Sequence, residues 1–318
     1  EHIVVSSIYK LNIFYEFQHG FREKRSCESQ LIMLVDDLFK SVYKKKQTDI
    51  ILLDFSKAFD KVSHEKLALK LHGYGIRGPP LKWVKGFLDN QSVIVNGSSS
   101  EPTPVSSEVP QGSVLGPLLF LIYINDIPMH VKSKVRLFAD YTALYLTIST
   151  SSQSEILKKD FDNLEHWGHK WDMEFNPSKC QVIHITRSKN PIPTQYTLHN
   201  CILESVSLAK YIGVDVSSDL SWDTHINRIS KKANNTLGFL RRNIKIHSES
   251  LKSSAYKVLV RPQFEYCCTV WCPFTDSNNS KLDVVQRRAA RWAKHDYEQT
   301  SSVTEMMQSL HWRRLDQR

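Results

Sequence analysis

The sequence has few cysteines and no long apolar run, and these two shortages exclude several kinds of protein. None of its six cysteines forms a CxxC pair, and Cys268 and Cys272 lack the second pair or spaced histidines of a zinc set. We therefore expect reduced, mostly buried thiols, as in an intracellular protein. The most apolar segment, residues 117–127, is shorter than the roughly 20 residues that a membrane helix needs, so no membrane span or membrane partner is expected.

A start signal is also missing. The chain begins at Glu1, and no charged and then apolar leader follows. The sequence therefore predicts a segment of a longer protein with no secretory signal in view. The 318 residues, 41% hydrophobic and 24% charged, are typical of a globular chain with two or three closely packed subdomains.

Positive charge is unevenly distributed along the chain. The net charge is +9, and residues 226–318 hold 17 Lys and Arg against 8 Asp and Glu, so the whole excess lies in the last third. Concentrated positive charge attracts a phosphate backbone through counterion release. The alternative is a solvated helical surface, and charge alone does not distinguish this hypothesis from a nucleic-acid-binding surface.

Hydrophobic spacing predicts a mixed α/β body followed by a basic helical part. We expect helices at residues 28–42, 63–73 and 154–170, a helix opened by Pro117, and amphipathic helices around residues 226–240 and 282–292. Strands are expected at residues 48–53, 92–96, 135–139, 142–148, 181–186, 196–203 and 208–216.

Two aspartates stand at the ends of predicted strands. Asp54 follows the apolar strand 48–53, and Asp140 lies in the tight connection between strands 135–139 and 142–148. Adding a nucleotide to a primer 3′ hydroxyl needs two divalent cations, and Mg²⁺ prefers a few carboxylates with phosphate and water oxygens. An aspartate at a strand end is more often a cap or turn residue, and spacing alone does not decide between these roles.

An ordered set of motifs resembles the reverse transcriptases of non-LTR (LINE-type) retrotransposons, and most of all the jockey-like elements of animal genomes. The matching segments are residues 18–22 (QHGFR), 54–60 (DFSKAFD), 109–117 (VPQGSVLGP), 137–145 (LFADYTALY), 176–179 (NPSK) and 211–213 (YIG). Their order and spacing both fit, and the resemblance spans residues 1–318.

This resemblance implies an α+β right-hand polymerase fold. Residues 1–48 would be a truncated fingers region, residues 49–223 a palm with an antiparallel sheet and interleaved fingers segments, and residues 224–318 a helical, basic thumb or connection. The implied activity is RNA-directed DNA polymerisation with two Mg²⁺ ions, or Mn²⁺ in their place. The implied partners are an RNA template, a DNA primer and deoxynucleoside triphosphates, in the nucleus for target-site copying or in the cytoplasm. Oligomeric state is not implied.

The resemblance also assigns catalytic roles to individual residues. Asp54 and Asp140, with the backbone carbonyl of Phe55, would hold the metals. Lys179 would protonate the pyrophosphate leaving group as a general acid. Outside the motif, Lys179 would be read as a solvated lysine after a turn.

Further residues would hold the substrates. Phe59 would lie under the sugar and leave no room for a 2′ hydroxyl. Arg22 would contact the triphosphate, Gln111 and Gly112 would approach template and nucleotide, and Tyr211 and Gly213 would place the primer end. Taken singly, Phe59 would be a core aromatic, Arg22 a surface arginine, and Gln111 and Gly112 only part of a turn signal.

The sequence departs from the family pattern in three ways. Tyr141 stands where the third motif normally has a second aspartate. Residues 88–92 suggest a deletion of about two residues at a hairpin tip, where length changes are tolerated. A further fingers motif and an endonuclease domain, usual upstream, are not in this sequence. Two hypotheses follow: an active polymerase core, or a decayed, nucleic-acid-binding copy of the same fold, with Tyr141 as the feature that separates them.

Overall fold

The chain divides into two compact units, Glu1–Ser207 and Leu208–Arg318. The computed structural model describes residues 1–89, 92 and 94–315, leaving out the side chain of Ser151. The helices of the first unit are α1 (His2–Lys10), α2 (Cys27–Tyr43), α3 (His64–Gly73), α4 (Pro79–Leu88), α5 (Gly116–Ile124) and α6 (Ser151–Lys170), with a 3₁₀ turn at Ile127–His130. Its strands are β1 (Gln47–Leu53), β2 (Ile94–Val95), β3 (Ser98–Ser99), β4 (Lys134–Phe138), β5 (Tyr141–Ile148), β6 (Gln181–Ile185), β7 (Thr197–Leu198), β8 (Cys201–Ile202) and β9 (Glu204–Val206).

A five-stranded sheet organises the first unit. Its strand order is β4-β5-β1-β6-β9, antiparallel except for the β6–β9 pair. The central strand β1 is buried along nearly its whole length, as its run of apolar residues predicts. β1 and β5 pair in register from Gln47 opposite Ile148 to Leu53 opposite Thr142.

Helix α5 lies at the centre of the core. It is apolar on every side, and its side chains from Leu118 to Ile124 are 2% exposed or less. A helix with no polar face must be enclosed by other elements. Helix α3 packs against it, the Phe55 ring meets the Phe120 ring edge-on, and apolar residues of β1 belong to the same buried cluster. The segment that carries Asp54 is therefore supported by the core of the unit.

The second unit begins with a hairpin and continues as helices. Its elements are β10 (Leu208–Tyr211), β11 (Val214–Ser217), α7 (Asp223–Asn243), α8 (Glu249–Ala255), a π-helical turn (Tyr256–Val260), α9 (Pro262–Glu265), α10 (Cys268–Trp271), α11 (Asp276–Lys294) and α12 (Val303–Ser309). The predicted amphipathic faces of α7 and α11 are buried, and α11 packs against α7, α8 and α12. Trp271 and Trp292 are core residues here, 0% and 3% exposed.

Several sequence predictions need correction. Residues 196–203 and 208–216 are not single strands but two hairpins, because His199, Asn200, Ile212 and Gly213 take left-handed φ angles that turn the chain. Helix α6 begins before residue 154, because Thr150 forms a capping box with Gln153. The cysteines are free, but two are buried (Cys180 and Cys267) and two are exposed (Cys201 and Cys272), so "mostly buried" was wrong.

The predicted bounds of other elements agree with the structure to within a few residues. Ser63 caps α3, which ends at Gly73, and the catalytic-motif strands β1, β4 and β5 lie within a residue or so of their predicted bounds. Helices α1 and α4 were not predicted. The strand expected at 92–96 is seen as β2, while Asn90, Gln91 and Val93, in and beside the suspected deletion, lie outside the described residues. In the described part of the chain, no helix is both long and apolar enough to cross a bilayer.

Candidate active site

The sheet brings Asp54 and Asp140 to one end. β4 and β5 are joined by the two residues Ala139 and Asp140, and Ala139 has a left-handed φ of 52°. β1 runs antiparallel to β5, and extending their register by one residue sets Asp54 beside Tyr141, next to the hairpin tip. A strand end and a neighbouring hairpin tip thus present two carboxylates on a rigid support.

The electrostatic surroundings of Asp140 indicate that the two carboxylates are neighbours. Burial raises the pKa of the Asp140 carboxyl, and the negative charge of Asp54 raises it further, while Lys179 acts in the opposite direction. The Lys179 Nζ lies 3.5 Å from Asp54 Oδ1. A half-buried carboxylate whose ionisation is disfavoured by a second carboxylate suits a divalent cation, which would relieve the repulsion.

The fourth motif owes its position to a local turn and a backbone bridge. Asn176 Oδ1 accepts hydrogen bonds from the backbone N–H and the hydroxyl of Ser178, which closes the turn before Lys179. The Asn176 N–H donates to the Asp54 carbonyl at 2.9 Å, and the Ser56 N–H donates to the Glu174 carbonyl at 2.8 Å. Lys179 is therefore tied to the strand that carries Asp54.

Phe55 and Tyr141 differ sharply in their surroundings. The Phe55 ring is 2% exposed and stacks on Phe175 with 4.5 Å between centroids, so its side chain is fixed in the core next to Asp54 in the sequence. Tyr141 is 43% exposed at the start of β5. A half-exposed side chain at a strand end fills no core volume, so a tyrosine in place of an aspartate changes the charge of the site more than the fold.

The side chain of Gln18, in the loop before α2, is hydrogen-bonded to the Ala139–Asp140 turn, and we call this contact the Gln18 clamp. The sequence alone did not predict it. Gln18 is 1% exposed, and its Oε1 accepts hydrogen bonds from the backbone N–H groups of Gly20 and Ala139 at 2.8 and 3.0 Å. The backbone beside it pairs with Leu137 of β4. Only the glycine in the QHGFR motif hinted at such a close approach.

Gly20→Ala is expected to displace the Asp140 turn. A Cβ atom at Gly20 would lie 2.2 Å from the Ala139 backbone nitrogen, so either the loop or the turn must shift. We expect a loss of about 1–3 kcal/mol in the free energy of unfolding, as for overpacked sites, and at least a tenfold loss in primer extension. Urea unfolding and a primer-extension assay measure the two effects. Gly86→Ala, at a helical site with nothing within 4 Å, is the matched control and should keep both at or above parental values. Parental activity in Gly20→Ala would show that the clamp does not position Asp140.

Phe59 contacts two other aromatic rings. Its half-buried ring stacks on Phe120 with 4.7 Å between centroids, and the exposed ring of Phe21 meets it edge-on at 6.3 Å. In the adjacent loop Gln111 Nε2 donates to Asp60 Oδ1 at 3.2 Å, and Gly112 has a φ of +89°, which favours glycine. The predicted nucleotide-binding residues Phe59, Gln111 and Gly112 are thus linked through the Asp54–Asp60 segment.

Arg22 makes contacts within its own loop. Its Nη1 donates to the Tyr15 carbonyl at 2.7 Å, and its guanidinium lies 5.4 Å from the centroid of the Phe14 ring. Arg25 lies near enough that burial and its charge together lower the pKa of Arg22. Burial and the same arginines lower the pKa of His19 to about 4, so this loop carries a cationic pair beside a neutral histidine. A triphosphate contact by Arg22 stays a prediction.

The predicted primer-grip residues lie in the second unit. Gly213, with a φ of +82°, forms the β10–β11 turn, and the Tyr266 hydroxyl donates to the Ile212 carbonyl at 2.9 Å. Arg228 Nη2 donates to the Gly213 carbonyl at 3.0 Å, so the turn is held from two sides. The Tyr211 ring is 2% exposed and supports the hairpin from its core side. Placement of a primer by this hairpin stays a prediction.

Comparison with known proteins places the chain in a family. Residues 1–219 match the family of reverse transcriptases (RNA-dependent DNA polymerases). The chain is 28% identical over 300 residues to a probable RNA-directed DNA polymerase from transposon X-element of Drosophila melanogaster, covering 91% of this chain and 33% of that protein. It is 26% identical to the RNA-directed DNA polymerase from mobile element jockey of the same species, covering 87% and 31%. The chain thus spans about a third of the length of these relatives.

A solved structure supports the fold independently. Apo telomerase from Candida tropicalis matches 98% of this chain and 53% of its own length, with a TM-score of 0.53 and 14% identity. This likeness shows the α+β polymerase fold alone. Reverse transcriptases generally use divalent metal ions, which agrees with the paired carboxylates. Together, the motif order, the sheet that unites Asp54 with Asp140 and the match over residues 1–219 show that this chain belongs to the reverse transcriptase family and is similar to the polymerases of jockey-type non-LTR retrotransposons.

Proposed function

We propose that this chain is the polymerase core of a non-LTR retrotransposon reverse transcriptase, which extends a DNA primer on an RNA template with deoxynucleoside triphosphates. The meeting of Asp54, Asp140 and Lys179 at one end of the five-stranded sheet carries this proposal. We place this reaction in the nucleus, where an element would be copied into a target site.

Asp54 and Asp140 are proposed to hold two Mg²⁺ ions, with the Phe55 carbonyl as a further oxygen ligand. When bound, the ions would lower the pKa of the primer 3′ hydroxyl and offset charge on the phosphates. Asp140 is half-buried, and the hydrogen bond from the Ala139 N–H to Gln18 Oε1 holds the hairpin tip on which it lies. Lys179, within reach of Asp54, is proposed to donate a proton to the departing pyrophosphate.

The remaining residues are proposed to position substrates. Phe59, backed by Phe120, would face the sugar, and Gln111 and Gly112 would line the nucleotide and template from the adjoining loop. Arg22, with Arg25 beside it, would bind phosphate oxygens. The second unit, which contains the basic residues 226–318, would grip the nucleic-acid backbone, while the β10–β11 turn with Tyr211 and Gly213 would hold the primer end.

A primer-extension assay tests the proposed function. The parent chain and Tyr141→Asp are each given a DNA primer on an RNA template, deoxynucleotides and Mg²⁺ or Mn²⁺, with Asp54→Asn in both backgrounds as the inactive control. We expect extension that requires Asp54 in at least the Tyr141→Asp background. Extension that is equal with and without Asp54 in both backgrounds would contradict the proposal.

Phe59→Val is expected to admit ribonucleotides. Removing the ring opens space beside the 2′ carbon, so the preference for deoxynucleotides over ribonucleotides should fall by tenfold or more, which corresponds to about 1.4 kcal/mol. Single-nucleotide incorporation kinetics with each substrate measure this ratio, best in the Tyr141→Asp background. Phe59→Tyr keeps the ring and is the control that should retain discrimination. An unchanged ratio in Phe59→Val would assign Phe59 to the core alone.

A further inference from the structure

A second cluster of metal-binding side chains lies on helix α6, in contact with the β7–β8 hairpin. It consists of Glu165 and His169 on α6 and His199 at the hairpin turn. One ligand atom from each residue lies within 4.8 Å of the other two. Within the described part of the chain, this is the one group of three such side chains that meets this spacing, and neither Asp54 nor Asp140 belongs to it.

The backbone sets up this convergence. Glu165 and His169 are four residues apart on one helix, so their side chains share a face. His199 reaches the same face because β7 packs against α6 and the hairpin turns at His199 and Asn200, which have φ angles of 48° and 61°. The buried Leu198 and Tyr196 anchor the hairpin on the first unit. The three ligands therefore come from two elements that are held by their own packing.

The ligand chemistry favours zinc. Two imidazoles and one carboxylate are a frequent protein ligand set for Zn²⁺, whereas Mg²⁺ and Ca²⁺ prefer oxygen ligands. His199 Nδ1 already lies 2.6 Å from Glu165 Oε1, and the rings of His169 and His199 meet edge-on with 5.6 Å between centroids. Tetrahedral zinc, with bonds of about 2.0–2.1 Å, separates its ligand atoms by roughly 3.4 Å. No pair is more than 4.8 Å apart, so none would have to close by more than about 1.4 Å, and the His199–Glu165 pair would have to open by about 0.8 Å. Rotation of the partly exposed side chains allows both changes.

We propose that Glu165, His169 and His199 form a zinc site that fastens the β7–β8 hairpin to α6, with water in the fourth position. The inference is independent of the polymerase chemistry, because it uses none of the motif residues. Glu165 and His199 are 25% and 31% exposed in their side chains, so the ion could enter from solvent. Each strand of the hairpin has only two residues, so a cross-link to the 20-residue helix would restrict its opening.

Zinc titration against a chromophoric chelator tests the site directly. We expect the parent chain to bind one Zn²⁺ with a submicromolar Kd, and Glu165→Gln, His169→Gln and His199→Gln each to weaken binding by tenfold or more. His166→Gln is the matched control, because His166 is exposed on the same helix and lies outside the group. Cys201→Ser, two residues after His199, should also bind as the parent does. If Glu165→Gln, His169→Gln and His199→Gln each bind zinc as tightly as the parent does, or if Cys201→Ser does not bind it, the proposal is wrong.

Thermal unfolding and hydrogen exchange measure how much zinc stabilises the chain and where. Zinc at about 100 times its Kd should raise the Tm of the parent by several degrees. It should also slow exchange of the Leu203 amide, which donates to the Tyr196 carbonyl at 2.9 Å across the hairpin, by tenfold or more. His199→Gln should show neither change while keeping the metal-free Tm of the parent. Zinc protection confined to other segments of the chain would contradict a site at this hairpin.

Discussion

Tyr141→Asp is expected to raise the rate of primer extension by roughly a hundredfold. Asp54 and Asp140 provide two carboxylates at the end of the sheet, and Tyr141 stands beside Asp140 at the start of β5, next to Asp54 in the register of the sheet. An aspartate there would add a third carboxylate and one negative charge to the proposed divalent-cation site. A positioned charge of this kind is worth a few kcal/mol of transition-state stabilisation, which corresponds to about two or more powers of ten in rate.

The fold should accept this substitution without cost. Tyr141 is 43% exposed, so its replacement empties no core volume, and the Tm should stay within a few degrees of the parent. Tyr141→Phe is the matched control, because it removes the hydroxyl but adds no carboxylate, and it should leave the rate unchanged. The assay is primer extension on a homopolymeric RNA template. If the parent already extends as fast as Tyr141→Asp, the tyrosine is not a defect. If neither exceeds Asp54→Asn, the defect lies elsewhere in the chain, and the hypothesis of a decayed, nucleic-acid-binding copy is favoured.

Asp140→Asn should abolish extension while leaving the protein at least as stable. The amide keeps the shape of the side chain but removes its charge, so we expect a loss of about a thousandfold or more in rate in the Tyr141→Asp background. Mn²⁺ should raise the Tm of the chain with Asp140 but not that of Asp140→Asn, because the metal would lose a ligand.

The sign of the stability effect follows from the pKa of Asp140. Burial and Asp54 raise this pKa above its usual value, so the folded state binds the proton more tightly than the unfolded state does. The ionised carboxylate therefore lowers stability at neutral pH, and this cost shrinks as the pH falls below the raised pKa of the folded state and vanishes below the pKa of the unfolded chain. Asp140→Asn should match or exceed the parental Tm near pH 7, with a difference that narrows in acid. Asp162→Asn, at an exposed position on α6, is the control for a neutralised charge. A large drop in Tm for Asp140→Asn would mean that its charge supports the fold instead of the site.

The motifs in the sequence were sufficient to predict the polymerase family, and they predicted its two aspartates at a strand end and at a hairpin tip. Apolar runs predicted β1 and β5 almost to the residue, because a strand buried on both faces carries a nearly continuous apolar sequence. With Asp54 at the end of one strand and Asp140 at a hairpin tip, the motif order already predicted that they meet. The family match over residues 1–219 and the polymerase names of the relatives agree with that interpretation, and no comparison favours the decayed copy.

The supports of the site depended on tertiary structure. Gln18 contacts the Asp140 turn from 121 residues away in sequence, and no local pattern reports such a hydrogen bond. The hairpins at His199 and Ile212 were read as strands, because left-handed φ angles at non-glycine residues are selected by long-range packing and not by local propensity. The roles of Tyr211 and Arg22 likewise depend on burial and on backbone partners that composition does not encode.

The sequence by itself determined the family and the residues proposed for its chemistry, because both follow from residue types at ordered positions: the carboxylates Asp54 and Asp140, the amine of Lys179 and the phenol of Tyr141. Only the tertiary structure decided which side chains surround that chemistry and what else the fold brings together. Glu165, His169 and His199 form no sequence motif, since α6 and the β7–β8 hairpin are separated by the whole of β6. They become a candidate metal site because the hairpin packs against the helix. This packing buries apolar residues that are far from each other in the sequence, such as Leu198 and Trp167.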